Sequence, residues 1–229
     1  MASVSIHVHP WLKLPMIESA TGLILRTRPL TETSLIVHWL TPESGRIATV
    51  AKGARRAKSP FAGKLDLFYR ADFSFTRSRR SDLHALREVS LRDPQSALRR
   101  DLRRLRLAAY AAGFIESATE TETPLPGIPE LMNGFLDCLC QHPPSTPMLF
   151  AFELKFLHEL GLAPDLGETR LTPGAKQIIR TLTQGDWPAI LRLKLAPAQS
   201  SELQQFLHGF LIYHLGHLPK GRAGALADE

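Results

Sequence analysis

"GLILRTRPLTETSLIVHWLTPESGRIATVAKG" (Gly22–Gly53) contains three apolar segments separated by turn residues. In 22–28, Leu23 and Leu25 alternate with Ile24 and Arg26. Residues 34–41 are β-branched and aromatic, "SGR" (44–46) is a turn, and 46–53 is a third apolar run closed by Gly53. Alternation with a period of two over runs this short predicts strands with one face toward a core.

Further along the chain the same texture returns in "LFYRADFSFTR" (67–77) and "LHALREVSL" (83–91), with "RSRRSD" (77–82) as a hairpin tip between them. Five short strands within about 70 residues predict a small closed barrel. The five-stranded oligonucleotide/oligosaccharide-binding (OB) barrel is the expected form, and a six-stranded SH3-like barrel is the competitor. The barrel is assigned to residues 20–92, and a leader, 1–19, of unassigned role precedes it.

At Asp93-Pro94 the period changes from strand to helix. Asp93 suits an N-cap and Pro94 a first helical position. Leu98, Leu102, Leu105, Ala109 and Ala112 then form one stripe at helical spacing, predicted to be buried, with Arg99, Arg100, Arg103, Arg104 and Arg106 around it. Ile128, Leu131, Met132, Phe135, Leu136 and Leu139 make a second stripe. "STPMLFAFELKFLHELG" (145–161) is apolar nearly all round, which predicts a central buried helix stopped by Gly161. Segments 171–182, 186–194 and 200–218 supply three more helices, and 219–229 reads as a frayed tail. The fold class is therefore α+β, with an all-helical domain over 93–229.

Charge is unevenly distributed. Residues 46–106 carry 17 of the 28 cations against 6 acids, whereas 107–229 carry 8 cations against 13 acids. Segregated positive charge in a folded region points to a polyanionic partner, where interspersed charge would read as a solvated surface. The block has three zones: the loop 52–64 with Lys52, Arg55, Arg56, Lys58 and Lys64, the hairpin tip with Arg77, Arg79 and Arg80, and the helix with Arg99, Arg103 and Arg104. Glycines and a proline in the loop suggest a backbone that adapts to an irregular single strand. Phe61, inside that loop, is the expected exposed aromatic for base stacking, while most strand aromatics belong to the core.

Reactive constellations are not evident. Phosphate-loop, dinucleotide, nucleophile-elbow and zinc-protease motifs are missing from the sequence. Glu116, Glu120 and Glu122 read as a solvated helix end, and His208, His214 and His217 lack a third ligand at metal spacing. Cys138 and Cys140 lie two apart in a helical pattern, so neither a disulfide between them nor a structural zinc is expected. Free thiols fit a reducing cytosol. No run is long and apolar enough to predict a membrane span or signal peptide. A binding protein is favoured over an enzyme.

Residues 22–68 resemble the start of bacterial RecO, the recombination mediator and DNA-repair family. The matching elements are "ETSL" (32–35), "TPESGR" (41–46) and "VAKGARRAKS" (50–59), followed by "LHALREVSL" (83–91) and "FELKFLHELGLAPDL" (152–166). The resemblance implies an OB barrel followed by a helical domain. It implies binding of single- and double-stranded DNA and annealing of complementary strands without nucleotide hydrolysis. It also implies interaction with RecR and with the C-terminal tail of single-stranded-DNA-binding protein, and a functional link to RecA loading, in the cytoplasm with the nucleoid. Many members carry a four-cysteine zinc module after "LGLAP". Here six residues without cysteine join Pro164 to Leu171, as in the zinc-free subtype. Three rival readings remain at this stage: an OB-type RNA-binding protein of translation or RNA processing, an unrecognised enzyme, and a scaffold for acidic tails. Arg170, Lys176 and Arg180 are candidate docking cations for such a tail.

Overall fold

The structure, a computed structural model, describes residues 16–227. Most of the expected leader therefore lies outside the described residues, as do the last two residues of the tail. Five strands are present: β1 (Ile17–Pro29), β2 (Leu35–Thr41), β3 (Gly45–Ala51), β4 (Arg70–Thr76) and β5 (Leu83–Asp93). They close in the order β1-β2-β3-β5-β4, with β4 returning to β1. The closure is a short parallel pairing, Ala48–Val50 against Leu83–Ala85, and every other pairing is antiparallel. This five-stranded OB-type barrel displaces the six-stranded alternative. β1 begins at Ile17, three residues before the expected boundary.

The alternation read from the sequence fills the barrel. Val37, Trp39, Ile47, Phe73 and Phe75 are buried together. Trp39 stacks on Phe73 at 4.0 Å, and its Nε1–H donates to Thr49 Oγ1 at 2.8 Å. In β1, Leu23, Ile24 and Leu25 are all buried. Ile24 belongs to the barrel interior, whereas Leu23 and Leu25 join the helical core on the other side of the strand. A register shift between Ile24 and Arg26 accompanies this two-sided burial.

The helical half comprises α1 (Leu102–Ala118), α2 (Gly127–Gln141), α3 (Thr146–Glu159), α4 (Pro173–Gln184), α5 (Trp187–Arg192), α6 (Pro197–Leu215) and α7 (Arg222–Leu226). As its composition predicts, α3 is the centre. Its Met148, Leu149, Phe150, Phe152, Leu154, Phe156 and Leu157 are fully buried, and Gly161 follows it in the left-handed region. Phe156 meets Phe114 of α1 edge-on at 4.6 Å, and Phe152 meets Phe135 of α2 at 4.7 Å. The second predicted stripe is buried as read.

Two helical expectations are corrected. The first helix does not start at Asp93-Pro94. β5 runs through Asp93, Gln95 turns left-handed at φ 49°, and a single 3-10 turn (Ser96–Arg100) follows. Asp101 is the true cap, accepting from the Arg103 N–H at 2.8 Å. The shifted start rotates the stripe. Leu98 is buried from the 3-10 turn, but Leu102 is 55% exposed and Ala109 is exposed. The helix instead buries Leu107, Ala108, Tyr110, Ala111, Ala112, Phe114 and Ile115. The tail is likewise not frayed. It forms α7, whose Arg222 is buried against Glu153.

Candidate nucleic-acid interface

The basic loop joins β3 to β4 at one end of the barrel. It is a chain of turns: Arg56 N–H to Gly53 O, Ser59 N–H to Arg56 O, Ala62 N–H to Ser59 O and Lys64 N–H to Phe61 O, each at 3.1 Å. Arg55 N–H also reaches the Thr33 carbonyl at 2.9 Å, tying the loop to the β1–β2 turn. Gly53 and Gly63 take φ values of +70° and +71°, open to glycine at little cost. The expected flexible clamp is therefore a folded cap.

Phe61 explains this. It was expected to be an exposed stacking platform, but only 6% of it is accessible. Its ring joins the barrel core, as an apolar side chain with a core beneath it should. Phe61 anchors the loop. With the apolar residue inside, Lys52, Arg55, Arg56 and Lys58 are turned outward and exposed, making no side-chain hydrogen bond or ion pair among the described residues. Arg28, exposed on β1 and absent from the expected set, is a further cation without a side-chain hydrogen bond or ion pair among the described residues. Lys64 is half-buried and lines a cleft of about 730 Å³ with Phe61, Phe73 and Arg87.

The hairpin zone stands apart. Leu83, which follows the tip, pairs in parallel with Ala48 midway along β3, whereas the loop leaves β3 after Ala51, so tip and loop lie toward opposite ends of this seam. Arg79 and Arg80 are exposed at the tip. Arg77 is locked between Glu18, at 2.8 and 3.0 Å, and Glu122, at 2.8 Å. The Arg77 guanidinium holds the Glu18 carboxyl below the usual range, and Glu18 in turn raises Arg77. Buried His84 accepts from Ser78 N–H through Nδ1 at 3.3 Å and faces Glu122 Oε1 through Nε2 at 2.6 Å, which assigns the ring proton to Nε2.

The helical zone is partly spent on structure. Arg99 contacts Asp66 at 3.0 Å, and Arg104 contacts the Cys140 carbonyl at 3.1 Å and Asp101 at 3.5 Å. Arg103 is half-buried, while Arg100 and Arg106 are exposed. Two of the three acids read as solvated are instead structural: Glu116 at the end of α1 pairs with Arg26, and Glu122 in the segment after it pairs with Arg77 and His84, both fastening this region to the barrel, whereas Glu120 is exposed as read. Beside them His38 is driven below its ordinary pKa by burial, and its Nε2 is buried without a partner.

No group of three or more His, Cys, Asp or Glu side chains able to hold a metal occurs among the described residues. Burial pushes the Cys138 thiol up to about 11, the environment of an unreactive thiol. No described helix is long and apolar enough to cross a membrane.

The barrel and the start of the helical half correspond to two family models. Residues 16–95 match Recombination protein O N terminal, and residues 99–169 match Recombination protein O C terminal. The chain is 32% identical over 230 residues to a DNA repair protein RecO from Anaeromyxobacter sp. (strain K), covering 86% of this chain and 91% of that protein. This chain belongs to the RecO family. Similarity to RecO proteins extends to Exiguobacterium sibiricum, 31% over 151 residues, covering 66% of this chain and 60% of that protein. It also includes Bacillus pumilus, 29% over 153 residues, with 67% and 59% covered. The first RecO model ends at residue 95, between the last strand and the 3-10 turn.

Proposed function

We propose that this chain is a DNA-repair and recombination mediator that binds single- and double-stranded DNA and anneals complementary strands. It works with RecR to help load RecA on strands coated by single-stranded-DNA-binding protein. The observation that carries the reading is the cluster Lys52, Arg55, Arg56 and Lys58, exposed and unpaired on one loop at one end of an OB-type barrel. Four cations on a preformed cap attract phosphates without selecting a sequence, and base pairing between the strands then supplies specificity. The cap adds pre-organisation, because the loop backbone is already ordered before any strand arrives.

The reading is one of binding without catalysis, at the nucleoid in the cytoplasm. Family membership supports the repair role, and the names of the relatives say the same of those proteins. The test is annealing of complementary oligonucleotides coated with single-stranded-DNA-binding protein, with and without RecR. Acceleration by the wild-type chain, lost in Arg55→Ala/Arg56→Ala/Lys58→Ala, is expected. No acceleration by the folded wild-type protein would refute the reading. Competition between matched DNA and RNA strands separates it from an RNA-binding role.

A further inference from the structure

The far end of the basic loop meets the arginine-rich start of the helical half at one side chain. The Arg99 guanidinium carbon lies 4.8 Å from the centre of the Tyr69 ring and over its face. Arg99 Nη1 donates to the Pro94 carbonyl at 2.9 Å, and Nη2 donates to the Leu67 carbonyl at 2.9 Å and pairs with Asp66 at 3.0 Å. Three of the five N–H donors are therefore engaged, both of those on Nη2 among them, and Asp66 balances the charge. Yet 34% of the side chain remains exposed. With Tyr69 on one side and Nη2 filled, the side of the guanidinium away from the ring is the surface a flat ligand would meet.

We propose that Arg99, held flat on Tyr69, is a stacking platform for an unpaired base of a strand whose phosphates lie on the neighbouring cations. Those neighbours are in place: Lys64 two residues before Asp66, and exposed Arg100 next in the chain, neither with a side-chain partner among the described residues. Guanidinium planes accept bases as aromatic rings do. The tyrosine and the three oxygen contacts fix the plane in advance, so little rotamer entropy is lost on binding. The proposal rests on the DNA-binding reading and deepens it by separating the residue that holds a base from those that hold phosphates. It also fills the role that the burial of Phe61 leaves open.

The test measures binding of the full chain to a labelled deoxyoctamer and to the same octamer with every base removed. The phosphates are identical, so the ratio of the two affinities isolates the bases. The base-bearing strand is expected to bind about tenfold more tightly, toward the low end of a single stacking contact. Arg99→Lys keeps the charge but loses the plane, and should reduce the ratio to about twofold. Equal binding of both strands by the wild-type chain, or an unchanged ratio in a folded Arg99→Lys, overturns the platform and leaves phosphate binding standing. If Arg99→Lys does not melt cooperatively, Tyr69→Leu, which removes the supporting ring, decides by the same ratio. Failure of the wild-type chain to bind either strand overturns the platform and the DNA-binding reading together.

Discussion

Arg222, seven residues from the end of the chain, forks onto Glu153 in the middle of the most apolar helix, Nε to Oε1 at 2.7 Å and Nη2 to Oε2 at 2.9 Å. Tyr110 Oη donates to the same carboxylate at 2.5 Å. Glu153 is wholly inaccessible and Arg222 only 4% exposed. Removing one partner strands the other charge in the core, so Arg222→Ala should cost about 3–5 kcal/mol. Urea unfolding measures this. The double variant Arg222→Met/Glu153→Leu should recover most of the loss, because no charge then remains buried. A single variant as stable as wild type would show that α7 is not held by this pair.

The same triad makes a prediction about pH. Burial and the adjacent Glu153 push the Tyr110 phenol well above its ordinary value. The unfolded chain releases this proton near pH 10, while the folded chain keeps it. The contribution is therefore fully present below about pH 10 and is lost above it, at about 1.4 kcal/mol per pH unit. Tyr110→Phe should remove that slope. Denaturation midpoints of both proteins between pH 9 and 11 read the difference, and parallel curves would contradict the assignment.

Phe61 and its neighbouring cations should separate cleanly. Phe61→Ala empties a core position and should cost about 3 kcal/mol, with faster amide exchange in the cap. Arg55→Ala/Arg56→Ala/Lys58→Ala should leave stability nearly unchanged. It should flatten the slope of log K against log salt for single-stranded DNA by about 2, from about 0.7 per phosphate contact. The two outcomes exchanged would mean that Phe61 is the ligand-facing residue after all.

Gly45 and Gly63 form a matched pair. Both take positive φ, +65° and +71°. A Cβ at Gly45 would lie 2.2 Å from the Thr123 carbonyl oxygen, whereas nothing lies within 4 Å of one at Gly63. Gly63→Ala should cost only the left-handed backbone penalty, about 1–2 kcal/mol. Gly45→Ala should cost more, since the turn and the 121–124 segment must also move apart. Equal thermal shifts for the two variants would rule out the close approach.

The barrel was legible because its signals are local. Alternation in 34–41 and 67–77, and glycine at 45 and 53, fix strands and turns without knowledge of distant residues. The loop was half legible. Its charge was plain, but its rigidity depended on whether Phe61 found a core to enter, and that core is assembled from strands on both sides of it. Phe61 as the only aromatic in a Gly/Pro loop could equally signal an anchor, and burial of apolar surface decides for that. The helix start misled because two capping aspartates compete. Asp93-Pro94 has the better sequence signature, but β5 consumes it, and Asp101 caps instead. Glu153 carried an unused signal: an acid amid eight buried apolar residues of its helix calls for a buried partner, and the tail read as frayed carries the cation that supplies it, Arg222. The roles of Arg77 and Arg99 depend on acids far along the chain, and that of Arg104 on the distant Cys140 carbonyl, none of which charge counting can pair.

Leu23, Leu25, Leu40 and Phe68 leave the barrel to pack among the helices in one continuous core. The end of α1 is further fastened by Arg26 to Glu116 and by Arg46 to Thr119. The change of texture at Asp93 is thus a change of secondary structure and not a hinge. A protease should find no weak point there, and cutting the gene at that position would give two pieces, each with a raw apolar face. Two kinds of architecture share one core, so the described residues should unfold as one body, in a single cooperative melting transition.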